Sequence, residues 1–204
     1  SILRRGIPEL IEYTIVRDQI PIFSMDAAYM VTPTIGYIKI SRFADSTPEE
    51  FRKGLEKLKQ QGATSLILDL QGNGGGYLNR AVELADEFLP AGRKIVYTRG
   101  RTMSPEDYNS TSVGGWEKGK IAVLIDESSA SASEIVSGAI QDCDRGLIVG
   151  RRSFGKGLVQ KPYQLPDGSM MRVTVAHYYT PSGRCIQKPY QLGEEDEYEM
   201  DINN

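Results

Sequence analysis

Glu127-Ser128-Ser129-Ala130-Ser131-Ala132-Ser133-Glu134 lies where a strand pattern gives way to a helix pattern. Ahead of it, Lys120-Ile-Ala-Val-Leu-Ile125 is an apolar run of strand length. Behind it, Ile135, Val136, Ala139, Ile140 and Cys143 recur at helical spacing, which gives one apolar helix face. Four serines, with small residues between them, therefore occupy a strand-to-helix turn. A serine there can stand beside backbone N–H groups that have no partner inside the helix. A nucleophile and an anion-stabilising pocket can be built together at such a point. A plainer account fits the same letters: Ser131 to Glu134 is an S-x-x-E capping box, which closes a helix and does no chemistry.

Outward from this turn, strands alternate with helices. Gly36-Tyr-Ile-Lys-Ile-Ser41 alternates as a strand, and Ser46-Thr47-Pro48-Glu49-Glu50 starts a helix that runs through Phe51, Leu55 and Leu58 to Gly62. Ser65-Leu-Ile-Leu-Asp-Leu70 is nearly all apolar, the pattern of a strand covered on both faces. It ends at Gln71-Gly-Asn-Gly-Gly-Gly76, and a helix follows from Leu78 to Pro90. Lys94 to Thr98 is another strand, whereas Arg99 to Gly119 is polar, has no period and is expected to be a long surface loop, functional or mobile. Gly146 to Gly150 returns to the sheet. Leu158 to Leu165 and Ser169 to Tyr179 flank the turn Pro166-Asp-Gly168 as a hairpin. At the ends, Glu12 to Arg17 and Asp26 to Val31 read as extended, and the tail from Glu194 is acidic. The expected class is α/β with a mixed sheet, helices packed on it and a late β-hairpin.

Composition removes several functions. The chain has 204 residues, 40% hydrophobic and 25% charged, enough for one good-sized core. A net charge of -3 gives no attraction to nucleic acid or anionic lipid. No apolar run reaches membrane-spanning length, and Ser1-Ile-Leu-Arg-Arg5 has no signal-peptide core. His177 is the single histidine, and Cys143 and Cys185 lack ligand spacing, so both cysteines are expected to be small buried residues and no metal or cofactor is expected. The turn Gly72-Asn-Gly-Gly-Gly76 matches neither G-x-G-x-x-G nor a Walker spacing. It leaves a tight turn, or a backbone free of Cβ atoms that can point N–H groups into a cleft.

A serine hydroxyl needs a base. His177 sits inside the strand pattern Arg172-Val-Thr-Val-Ala-His-Tyr-Tyr179, a poor place for a triad member. Lys156 stands between glycines in Phe154-Gly155-Lys156-Gly157, just before an apolar strand, where desolvation can leave a neutral amine. Ser–Lys pairs are a known variant of the triad. Gln160, four residues on, could orient that amine.

Ser129-Ala-Ser131-Ala-Ser-Glu134, followed 25 residues after Ser131 by Lys156 in Phe-Gly-Lys-Gly-x-Val-Gln160, resembles the carboxy-terminal processing (tail-specific) proteases, the S41 serine peptidases. The resemblance takes in Gln141-Asp142, Asp69-Leu-x-x-Asn-x-Gly-Gly76, Gly36-Tyr-Ile-x-Ile40 and Tyr179-Thr-Pro-Ser-Gly-Arg184, about residues 35 to 188. It implies a ClpP/crotonase-like protease core at 31–190, the end of a PDZ domain plus its exit linker at 1–30, and an acidic tail at 191–204. It also implies Ser131 as nucleophile, Lys156 as general base, Gln160 aligning Lys156, and an oxyanion hole from the amides of Ala132 and of Gly75 or Gly76. Asp142 matches a supporting acid of some members. Gln71 stands where the family usually has arginine. The implied partners are protein or peptide C-termini and the chain's own PDZ domain, and the implied location is periplasmic or envelope-associated. Two rivals share the scaffold: a non-catalytic module for apolar ligands or peptides, as in retinoid-binding relatives, and a core inert without its PDZ part.

Overall fold

The computed structural model describes residues 1–14, 23–112 and 114–189. Nine strands and three helices are formed by the described residues. The first sheet has the order β1-β2-β3-β6-β7: β1 (Met25–Thr32), β2 (Ile35–Ile40), β3 (Ser65–Asp69), β6 (Lys120–Ile125) and β7 (Leu147–Gly150). β1 is antiparallel to β2, and the other four run parallel. The second sheet, β5-β4-β9-β8, is antiparallel and uses β4 (Lys94–Arg99), β5 (Glu106–Asn109), β8 (Leu158–Gln164) and β9 (Met170–Tyr179). The expected mixed sheet and late hairpin are both present.

Parallel neighbours need crossovers. α1 (Thr47–Gln60) links β2 to β3, α2 (Leu78–Asp86) follows β3, and α3 (Ala132–Asp142) links β6 to β7. α1 begins with Pro48 in its first turn, Glu49 and Glu50 follow at the positive end of its dipole, and Lys57 and Lys59 close it. Ile38, Ile40, Leu66, Leu68, Ile121 and Val123 are buried, joining Phe51, Leu58, Leu84, Phe88 and the α3 residues Ile135, Val136 and Ile140 in one core. The residues between them, such as Tyr37, Ile67 and Ala122, are only partly buried. β3 is thus an alternating strand, although its apolar run suggests cover on both faces. Every residue of α3 from Ala132 to Ile140 is buried, so the helix with one apolar face in sequence is enclosed all round.

Two further expectations change. The 99–119 stretch contains β5 and is pinned: Trp116 is buried, its N–H donates to Glu87 O, and Arg145 donates to the carbonyls of Trp116 and Gly119. β1 runs across residues 30 and 31, from Met25 to Thr32. Cys143 is half-buried, but Cys185 is exposed, beyond β9 and bridged to Tyr179. Near the N-terminus, Ile2 and Ile11 exchange backbone hydrogen bonds. The strand expected to end at Arg17, the linker around 18–22 and the acidic tail lie wholly or partly outside the described residues.

Candidate active site

β3, β6 and β7 are parallel neighbours, and the loops that leave their carboxyl ends meet. This is where α/β sheets form ligand crevices. The glycine turn follows Asp69, the serine turn follows Ile125, and the Lys156 loop follows Gly150.

The serine turn separates the hydroxyls of Ser129, Ser131 and Ser133 by task. Ser129 is fully buried, 2.8 Å from Leu70 O, and accepts the Asp126 N–H. Ser133 is fully buried and donates to Asn73 O at 2.9 Å. Ser131 alone of the three is half-buried, and it caps α3. Its backbone is at φ 55° and ψ -108°, a region that favours glycine and costs other residues about 1–3 kcal/mol. A strand-to-helix turn strained in this way lifts a side chain clear of its neighbours.

The glycine turn closes against it. Ala130 N–H donates to Asn73 O, and Asn73 Nδ2 reaches Ile40 O. Gly75, at φ 99°, packs so tightly that a Cβ would stand 2.8 Å from both Ala130 O and Ser131 Cβ. Gly76 is equally confined, since a Cβ there would meet Phe43 O at 2.1 Å. The Gly75 N–H donates to Asn73 Oδ1 at 2.9 Å and is therefore engaged. The Gly76 and Ala132 N–H groups have no acceptor among the described residues. Ala132 is the first residue of α3, where the helix offers none.

Asp126 ties the two turns together. Its carboxylate accepts the N–H groups of Gly72 and Ser128. Burial pushes its pKa up, but these donors and the Ser129 hydroxyl outweigh burial and hold it below the usual aspartate value. A depressed carboxyl stabilises the fold at pH above its unfolded value, about 3.9, and that stability is lost as pH falls through the depressed value. Asp126→Asn should therefore flatten the acid limb of melting temperature against pH; an unchanged limb would show that the ties contribute nothing.

Glu134 joins the third loop. One oxygen, Oε2, accepts both the Ser131 N–H at 2.7 Å and the Lys156 N–H at 2.8 Å. The other accepts the Gly155 N–H at 2.6 Å and the Ser153 hydroxyl at 2.8 Å. The capping-box glutamate thus does two jobs, and the backbones of Ser131 and Lys156 meet on one atom. Sequence spacing shows the first job and carries no trace of the second. The loop is fixed further by Phe154 N–H to Ser129 O and Lys188 N–H to Gly155 O. The Lys156 side chain is exposed, with no hydrogen bond or ion pair among the described residues.

The other candidates lie further out. Gln160 is exposed on β8, opposite Thr174, and no hydrogen bond joins it to Lys156. His177 is exposed on β9, opposite Leu158 and Arg99. Asp142 holds the turn after β9, accepting the Ser182 N–H at 2.9 Å, its hydroxyl and the Arg184 guanidinium, and does not meet Ser131 or Lys156. Gln71 is not far from a cation: Lys39 Nζ lies 3.2 Å from both Gln71 O and Asp69 Oδ2. Among the described residues no cluster of three or more His, Cys, Asp or Glu could hold a metal ion, and no helix is long and apolar enough to cross a membrane.

With this geometry in place, comparison with known proteins gives a consistent result. The family model described as Peptidase family S41 matches residues 34–198. A carboxyl-terminal-processing protease of Synechocystis sp. is 39% identical over 155 residues, covering 76% of this chain and 36% of that protein. The carboxy-terminal processing protease CtpB of Bacillus subtilis is 33% identical over 190 residues, covering 92% of this chain and 39% of that protein. The solved structure of a photosystem II D1 C-terminal processing protease superposes with a TM-score of 0.74 at 31% identity, covering 84% of this chain and 47% of that one. The chain thus spans less than half the length of these relatives.

Proposed function

This chain belongs to peptidase family S41, and from that membership we propose that it is the catalytic core of a serine endopeptidase that cleaves protein substrates near their C-termini. The observation that carries the proposal is the shared Glu134 oxygen, which sets the strained, accessible Ser131 beside the Lys156 loop.

The reaction follows from the groups present. Neutral Lys156 Nζ takes the Ser131 hydroxyl proton as Oγ bonds to the scissile carbonyl carbon. The carbonyl oxygen becomes an oxyanion, and the Ala132 and Gly76 N–H groups donate to it, each worth about 3 kcal/mol. The C–N bond then breaks, and the leaving amine takes the proton from Lys156. Water adds to the ester, again losing a proton to Lys156, and Ser131 is restored. Gly76 fills the second donor position because Gly75 N–H is engaged by Asn73. Gln160 would align the amine once the lysine has swung inward.

The reading extends to the whole protein: a PDZ domain as partner for the core, and a workplace in the periplasm or envelope, open to cell fractionation. A purely binding module would have no physical use for strain at Ser131. The test is to incubate the chain with a protein bearing an unstructured apolar C-terminal tail and to record intact masses after acid quenching. New C-termini within the tail, and an acyl fragment carried on Ser131, are expected. Cleavage with the acyl group on another residue would overturn the assignment.

A further inference from the structure

Glu134 is not the only side chain that holds the Lys156 loop. Three successive N–H groups leave it: those of Gly155 and Lys156 donate to Glu134, and that of Gly157 donates to Gln187 Oε1 at 3.0 Å. Gln187 is half-buried, and its Nε2 donates to Lys188 O at 3.0 Å, which turns the amide oxygen toward Gly157. The residue arrives from the turn after β9. Asp142 fastens that turn through Ser182 and Arg184, the Ile186 N–H donates to Tyr178 O, and the chain then returns along the loop. The two glycines record how close it comes. A Cβ on Gly157 would stand 2.3 Å from Gln187 N, and one on Gly155 would stand 2.8 Å from Lys188 Cβ. The Gly-Lys-Gly pattern therefore answers to packing against residues 186–188 as well as to bending.

We propose that Gln187 is a positioning residue for the peptidase reaction, fixing the backbone on the far side of Lys156 as Glu134 fixes it on the near side. The proposal rests on the peptidase reading and deepens it. The direction in which a side chain leaves its Cα is set by the two peptide planes that flank it. The plane between Gly155 and Lys156 is held at both ends, its N–H by Glu134 and its carbonyl by the Lys188 N–H at 2.8 Å. Among the described residues, the plane between Lys156 and Gly157 is held by one hydrogen bond, that from the Gly157 N–H to Gln187. Without that acceptor the second plane can rotate, and a small rotation at Cα is magnified along the flexible four-carbon stem of a lysine. Gln187 thus acts through the backbone of Lys156 and touches no reacting atom.

The experiment compares the parent chain with Gln187→Met, which keeps the bulk and loses the acceptor, and with Gln187→Glu, which keeps an acceptor of the same reach. Amide hydrogen exchange by NMR comes first, since it needs no turnover. The Gly157 amide should exchange about tenfold faster in Gln187→Met and return toward the parent rate in Gln187→Glu, with the amides of β2 and β3 unmoved. In cleavage of the apolar-tailed protein, Gln187→Met should lower kcat by about tenfold or more while KM changes by less than about twofold. Gln187→Glu should recover most of that loss. A Gly157 amide indifferent to Gln187→Met, or exchange that quickens through the whole sheet, would overturn the positioning role. So would a parent-like kcat in Gln187→Met, or a loss that Gln187→Glu shares in full. A parent chain that cleaves nothing sinks the peptidase reading alone, because exchange at Gly157 still scores the hold on the loop.

Discussion

Lys156→Ala should lower the rate of tail cleavage by about 10²–10⁴-fold, the usual span for losing a general base. Ser131→Ala should lower it further, on the order of 10⁴-fold or more. The double variant should be no worse than Ser131→Ala, because the two side chains act in one step and their losses do not add. The fold should persist in each case. Lys156 is exposed, and only its backbone N–H is used by the clamp. Alanine at 131 keeps the N–H that Glu134 accepts. Single-turnover cleavage by the parent and the three variants measures these losses. A Lys156→Ala chain that cleaves like the parent would end the base assignment.

Glu134→Gln should cost both stability and turnover. The glutamine keeps the shape but puts an NH₂ where one oxygen now faces two N–H donors. Hydrogen bonds to a charged acceptor are worth about 1.5–3 kcal/mol each, and orphaned buried donors add their desolvation cost. A loss of roughly 2–4 kcal/mol is expected in denaturant unfolding. The displaced Lys156 loop should cut kcat by about 10²-fold, the scale of a 1 Å misplacement, with KM changed far less. That split separates positioning from mere fold loss, which would lower the active fraction and leave the pH profile alone. Turnover equal to the parent at a temperature where both are folded would show that the clamp is not needed.

Much of this site can be read from the sequence because it is local. The glycine turn, the serine turn and the Gly-Lys-Gly loop each follow an apolar strand run. What cannot be read depends on reach. The capping box at Ser131 and Glu134 is visible, yet the same carboxylate also meets Ser153, Gly155 and Lys156, some twenty residues on, and no periodicity reports that. Gly75 and Gly76 look alike in sequence, and only the Asn73 side chain tells their amides apart. Trp116 and Arg145 turn a stretch with loop composition into a fastened segment, because a single buried aromatic among polar residues has no pattern. Cys185 misleads because it lies past the end of β9, joined only by an isolated bridge to Tyr179, and stays exposed.

The backbone at Ser131, with φ at 55°, gives the protein an unusual relation to drift. Glycine would sit there without penalty, so replacing the reactive alcohol would relieve the chain and yield a sturdier, silent molecule. Folding alone would never retain this residue. Its persistence in any lineage has to be enforced by the work it performs, and a lineage freed from that work would be expected to lose it early.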